Sequence, residues 1–232
     1  MTGTNSSVAI PASTVALLRD VVGGVEVCML RRPGRSSFAA GAFVFPGGAV
    51  DETDGAGDAA YTVAGVREVL EEVGILIGGA SAASGDSDLD DRVTSARAEL
   101  LAGSPFHDTL GKHRLTITPE ALTYIGHFIT PPSERRRYDT RFFALAASHD
   151  QDVRVHSAEA VEGGWHRPEA MLELTYPAIM PPTRMMCHEF ARLGSVGAIL
   201  ETLGANPIEV TEITPEIISR WLGLHRDAEE RS

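Results

Sequence analysis

The stretch Arg67-Glu68-Val69-Leu70-Glu71-Glu72-Val73-Gly74-Ile75 combines three carboxylates with four apolar side chains. Wound as an α-helix with Glu68 at zero, it puts Glu71 at about 300° and Glu72 at about 40°, on one face. Val63, Val66, Val69, Leu70 and Val73 fall between about 100° and 220°, on the opposite face. Ala64 and Gly65 sit one turn above the carboxylates, on their own side. The pattern predicts a helix from about Ala59 to Val73 that stops at Gly74 as its C-cap. It buries one stripe and presents three carboxylates, with room above them, on the other.

Like charges within one helical turn repel each other by about 0.2–0.5 kcal/mol per pair when solvated. On a solvated face nothing further follows, and 32 acidic residues in 232 make such faces common. On a walled-in face the carboxylates must be protonated or must hold a cation. Hard divalent ions such as Mg²⁺ or Mn²⁺ prefer carboxylate oxygens, keep waters and bridge to phosphate.

Upstream of this helix, Ser13 to Asp20 and Val25 to Arg31 are β-branched-rich runs separated by Val22-Gly23-Gly24, a hairpin pattern. Ala42 to Phe45 reads as a short strand running into Pro46-Gly47-Gly48, and Asp51 to Asp58 as a mobile acidic loop. Downstream, residues 79–115 read as a helical insertion. Small residues fill Gly78 to Gly85, and the helix from Asp88 to Ala102 carries sparse apolar positions. Leu122 to Thr130, Arg141 to Ala147 and Gly163 to His166 read as strands. Pro168 to Glu173, Thr183 to Leu193 and Ser195 to Leu203 read as helices, so C-terminal helices begin at 183. Strands and helices mix without strict βαβ alternation, which predicts an α/β fold with a mixed sheet in a single domain over 8–232.

Composition narrows the function classes. With 43% hydrophobic and 22% charged residues and a mean hydropathy of -0.03, the chain is that of an ordinary globular protein. No apolar run approaches the ~20 residues of a membrane span, and Met1 to Ser7 has no signal-peptide pattern. A net charge of -12 and a pI near 5.1 argue against general nucleic-acid or membrane-surface binding. Cys28 and Cys187 are too few for a disulfide framework, so a reducing cytoplasm is expected. Gly55-Ala56-Gly57-Asp58-Ala59-Ala60 spells a dinucleotide-binding pattern, but no strand precedes it. The eight histidines show no zinc-protease spacing.

Arg67-Glu68-x-x-Glu71-Glu72-x-Gly74 with apolar Val69 and Ile75, preceded by Pro46-Gly47-Gly48, resembles the signature of the Nudix hydrolases. That signature reads G, five residues, E, seven residues, then R-E-apolar-x-E-E-x-G-apolar. Its second half matches at every position. The first half is lengthened: Arg67 is the nineteenth residue after Gly48, where the signature expects the fourteenth. Five extra residues sit in Asp51 to Asp58, and Glu52, Asp54 and Asp58 all stand as counterparts of the isolated Glu. Similar lengthening occurs in the branch of peroxisomal coenzyme A diphosphatases and their bacterial relatives. That branch is also resembled by Phe45-Pro46-Gly47-Gly48, by Arg137-Tyr138-Asp139-Thr140-Arg141-Phe142-Phe143 and by Pro181-Pro182-Thr183.

The resemblance implies an αβα sandwich with a mixed sheet, and hydrolysis of a diphosphate that joins a nucleoside to another group. It makes Glu68, Glu71 and Glu72 metal ligands, with the Gly48 carbonyl as a further one and Mg²⁺ or Mn²⁺ as the ion. Arg67 holds a box carboxylate through a salt bridge. The base is open among Glu68, Glu72, Glu159 and Glu162. Arg32 and Gly41 fall where a coenzyme A motif of some Nudix enzymes places them, with Ser37 in place of its second arginine and Arg35 two residues away. The run Arg135-Arg136-Arg137, following Thr130-Pro131-Pro132 and with Arg141 behind it, reads either as a solvated loop or as phosphate-gripping side chains. Expected substrates are coenzyme A or acyl-coenzyme A, with ADP-ribose, NADH or dinucleoside polyphosphates as the alternative. A non-catalytic Nudix ligand sensor is the rival from another class, and sensors often lose the glutamates that are all retained here. Ser195 to Leu203 and Ile213 to Leu224 are apolar enough to be core or the face of a homodimer.

Overall fold

The computed structural model describes residues 8–36, 39–81, 88–156, 160–206, 208–214, 216, 217 and 219. In chain order the first half holds β1 (Ile10–Val21), β2 (Gly24–Arg31), β3 (Phe43–Val44), β4 (Gly47–Ala49), α1 (Asp58–Val73), β5 (Gly78–Ala80), α2 (Leu89–Leu101), α3 (Phe106–Lys112) and β6 (Leu115–Ile117). There follow β7 (Thr123–Ile129), β8 (Tyr138–Ala146), β9 (Glu162–His166), α4 (Pro168–Leu172), α5 (Pro181–Leu193), α6 (Val196–Ala205) and β10 (Val210–Glu212).

The hairpin expected from the sequence frames the molecule. Val21 pairs with Gly24 across a two-residue turn, where Gly23 at φ 82° takes a conformation that a Cβ would strain. Successive side chains leave a strand on opposite faces, so β1 and β2 each feed two cores. Val15, Leu17, Cys28 and Leu30 enter one. Ala16, Leu18, Val25, Val27 and Met29 enter the other. All nine are at most 1% exposed, which is why these strands read as continuous apolar runs. Each large side chain so buried contributes about 1.5–3 kcal/mol.

The sheet runs β10-β7-β8-β1-β2-β3, with β4 on β1 and β9 on β2. β1 pairs parallel with β8, as β10 does with β7, and the other pairs are antiparallel, so the sheet is mixed. The side chains of α1, α2 and α3 cover one face through Val66, Val69, Leu70, Ala96 and Phe106. Helices α5 and α6 cover the other through Met186, Cys187, Phe190 and Ile199. The result is the three-layer αβα arrangement. No helix of the described residues is long and apolar enough to cross a membrane.

Two expectations change. Residues Asp51 to Asp58 are no mobile loop: Glu52–Asp54 form a turn of 3-10 helix, α1 starts at Asp58, and Asp54 is 3% exposed. Within 79–115, the helices α2 and α3 pack into the core instead of standing outside it. Val93, Ala96, Leu100, Phe106, Leu110 and Leu115 all join the core beneath α1. Their spacing is a narrow helical stripe, enough for a helix that buries only one edge. In the C-terminal stretch Ile213 is buried and Ile217 packs against the same core cluster; most residues beyond lie outside the described ones.

Candidate active site

Arg67 is the hub of the site. Its side chain is 8% exposed. Nε and Nη2 donate to the two oxygens of Asp54, each at 2.9 Å. Nη1 donates to Glu68 at 2.8 Å and to Glu71 at 3.4 Å, and Nη2 also to the Ala49 carbonyl at 2.9 Å. Burial by itself pushes this guanidinium's pKa down. The Asp54 hydrogen bonds and the charges of Glu68, Asp54 and Glu71 overcome that and raise it, so Arg67 is a permanent cation.

Of the three stand-ins for the isolated Glu, Asp54 is the one that is buried and paired with Arg67. The Asp54 carboxylate has no exposed surface, is gripped on both oxygens and accepts the Asp51 N–H at 2.8 Å. Glu52 is exposed, and Asp58, 88% exposed, pairs with Arg141. Asp54 is also the sixth residue after Gly48, where the Nudix signature has its Glu. The extra residues therefore lie between Asp54 and Arg67, and counting forward from Gly48 finds the residue.

The two glycines of Pro46-Gly47-Gly48 answer to two close approaches. A Cβ on Gly47 would come within 2.8 Å of the Thr14 Cα, against which β4 pairs. A Cβ on Gly48 would collide with the Glu68 carboxylate. Glu72, 8% exposed, accepts the Gly47 N–H at 2.8 Å. Strand β4 thus lies directly against the acidic face of α1. Its own residues Gly47, Gly48 and Ala49 also line a cavity of about 620 Å³. Phe45, Phe128, Phe142, Tyr138, Met180 and Ile213 supply much of its apolar wall.

The expected substrate arginines divide. Arg32 and Arg136 line the cavity. Arg32 makes no side-chain hydrogen bond or ion pair to any described residue, and its buried Nε has no partner among them. Arg136 lies over the Tyr138 ring, 5.3 Å from its centroid. Arg35 is exposed and lies outside the cavity lining. Arg137 and Arg141 are not in that lining either. Arg137 donates Nε to the Thr130 carbonyl at 2.9 Å and approaches Glu212 at 3.6 Å, which ties the β7–β8 turn to β10. Arg141 leaves β8 on the α1 side of the sheet. It donates to Asp58 at 2.7 Å and stacks 4.0 Å over Tyr61. Of the distal base candidates, Glu162 is half exposed and 3.4 Å from Arg31; Glu159 and the motif residue Ser37 lie outside the described residues.

The donor set bears on a divalent ion. Glu68, Glu71 and Glu72 offer only carboxylate oxygens, the donors Mg²⁺ and Mn²⁺ take. Among the described residues no three His, Cys, Asp or Glu side chains converge tightly enough to enclose an ion.

A three-layer αβα domain whose acidic helix is bridged through a buried arginine to a glycine strand has the architecture of the Nudix fold. No family model matches the chain. Nudix hydrolase 7 of Caenorhabditis elegans is 29% identical over 175 residues, 74% of this chain and 56% of that relative. The chain thus spans about half the length of the curated relative it matches. The crystal structure of a Nudix hydrolase from Alicyclobacillus acidocaldarius is 27% identical with a TM-score of 0.74, covering 87% of this chain and 99% of that one. The chain is thus similar to Nudix hydrolases in sequence and in fold.

Proposed function

We propose that the chain is a pyrophosphohydrolase that cleaves the diphosphate of a nucleoside diphosphate linked to another moiety, with coenzyme A or an acyl-coenzyme A as substrate. The observation that carries the hydrolase reading is the Arg67 network. One buried guanidinium ties Asp54, Glu68 and Glu71 together beside Gly48, where a side chain would block approach to Glu68. In this reading Glu68, Glu71 and Glu72 hold Mg²⁺ or Mn²⁺, which when bound neutralises the diphosphate and lowers the pKa of a water. Arg67 orients Glu68 and Glu71 and limits their mutual repulsion. Gly47 and Gly48 let β4 lie tight against Thr14 and the Glu68 carboxylate, so the acidic face and the cavity flank one strand. A cavity of about 620 Å³ is of the size that takes a nucleotide-sized ligand.

Arg32 supports the coenzyme A reading. In a chain of net charge -12, a half-buried arginine facing a cavity without a described counter-ion suits an anionic group of the ligand. Coenzyme A brings a 3′-phosphate in addition to its diphosphate. The test is product identity by mass spectrometry, expected to be 3′,5′-ADP and the 4′-phosphopantetheine. KM values for coenzyme A and dephospho-coenzyme A follow, in Arg32→Ala and Arg136→Ala variants. Loss of the right arginine raises KM for coenzyme A more than for the dephospho form, which lacks that phosphate. Faster turnover of ADP-ribose or NADH than of any coenzyme A species overturns the substrate assignment and leaves the hydrolase reading standing. No release of phosphate or nucleotide from any of them with either ion overturns both.

A further inference from the structure

The last four carbonyls of an α-helix have no partner within it. In α1 they belong to Leu70, Glu71, Glu72 and Val73, the turn that carries two of the box carboxylates. Every one of them is met. The Gly74 N–H donates to Leu70 at 3.1 Å, and the N–H groups of Arg154 and His156 donate to Val73 at 2.9 Å and Glu72 at 3.2 Å. The Glu71 carbonyl is met by a side chain from elsewhere in the fold: Arg97 donates Nε to Glu71 and Nη2 to Glu72, both at 3.0 Å. Its third nitrogen closes on the cap, where a Cβ at Gly74 would lie 3.0 Å from Nη1. Arg97 is itself on a fixed support, since its neighbour Ala96 is fully buried and Val93 and Leu100 anchor α2 on either side.

We infer that Arg97 is a positioning residue for the divalent-ion site, fixing the last turn of α1 and with it the bearing of the Glu71 and Glu72 carboxylates. The inference rests on the ion-site reading above. Glu71 and Glu72 sit at the negative end of the helix, where backbone dipole and carboxylates add unfavourably. A planar fork bridging two successive carbonyls both offsets that charge and removes the freedom of the turn to fray. Helix α2 is thereby part of the site's support, which gives its core packing a functional reason.

The two effects of Arg97 have opposite signs in ion affinity, which makes the inference testable. As a nearby positive charge alone, its removal would tighten the binding of a cation. As the support of the turn, its removal loosens binding, and partners of this kind are typically worth about 10–100-fold. Mn²⁺ binding is measured without substrate, by the free-ion signal in electron paramagnetic resonance, in the unmodified protein and in Arg97→Ala, Arg97→Lys and Glu71→Gln variants. Amide hydrogen exchange at Val73 and Gly74 is followed in parallel. Arg97→Ala is expected to weaken Mn²⁺ binding about 10-fold or more and to speed exchange of both amides. Arg97→Lys keeps the charge but donates from one nitrogen, so it recovers only part of the affinity; it carries the test if the alanine variant does not fold. Affinity equal to or tighter than that of the unmodified protein, in a folded Arg97→Ala or Arg97→Lys variant, overturns the inference while the ion site stands. Absence of Mn²⁺ binding in the unmodified protein, or unchanged binding in Glu71→Gln, overturns the ion-site reading itself.

Discussion

Asp54→Asn probes the network at its most buried point. Asp54 has no exposed side-chain surface and gives Arg67 two charge-assisted hydrogen bonds at 2.9 Å. Removing one partner of a buried ion pair commonly costs about 3–5 kcal/mol, because the other charge is left uncompensated. Here compensation is partial. Glu68 at 2.8 Å, Glu71 at 3.4 Å and the Ala49 carbonyl still face the guanidinium, and asparagine keeps one acceptor oxygen. The expected loss is therefore at the low end, about 3 kcal/mol, or about 6–12 °C in Tm for a chain of this size. Arg67→Ala is the harsher change, since it leaves the Asp54 carboxylate with the Asp51 N–H as its one remaining described donor. Urea midpoints and thermal melts of the two variants at neutral pH check both the size and the order. A shift below about 2 °C for Asp54→Asn, or a smaller effect for Arg67→Ala, refutes the reasoning. So does Asp54→Asn activity that needs no more Mg²⁺ than the unmodified protein, because an Arg67 freed from Asp54 competes harder for Glu68 and Glu71.

Glu71→Gln should lower turnover by about 10²-fold or more with a nearly unchanged melt, because Glu71 is half-buried and contributes little packing. Glu72→Gln should lose comparable turnover and also some stability, since its buried carboxylate accepts the Gly47 N–H; near-full activity in either variant removes them from the site. Burial pushes the thiols of Cys28 and Cys187 up to about 12, whereas an unfolded thiol titrates near about 8.5. The folded state thus holds protons that the unfolded state has released. Their contribution is complete below about pH 8.5 and falls by about 1.4 kcal/mol per pH unit per thiol as pH rises toward 12. Urea midpoints should drop between about pH 8 and pH 10 and drop less in a Cys28→Ala/Cys187→Ala variant, and identical slopes in the two proteins would count against it.

What could be read in advance, and what could not, follows from where each residue's partner lies. Helix α1 is legible because its information is local: a 3.6-residue apolar stripe and a glycine that takes φ 73° at the C-cap. Strand β4 has no local signal at all. Gly47-Gly48-Ala49 becomes a strand because β1 offers it a ladder and side chains there would clash with Thr14 and Glu68. Asp54 hides in an acidic, glycine-rich run whose composition says solvent, yet Arg67 on the border of an apolar stripe already requires a buried counter-charge. The arginine cluster shows the same limit in a strand. Once β8 is taken to begin at Tyr138, parity places Tyr138, Thr140 and Phe142 toward the cavity and Arg141 on the other face, where Phe143 enters the α1-side core. Begun at Arg141, the strand carries no such frame, and arginines serving opposite faces look like one patch. In an acidic chain most arginines are claimed by neighbouring carboxylates or carbonyls, as Arg19, Arg67, Arg97 and Arg141 are. The arginine worth testing for a ligand is a cavity-lining one whose charge no described residue answers, and Arg32 meets both conditions.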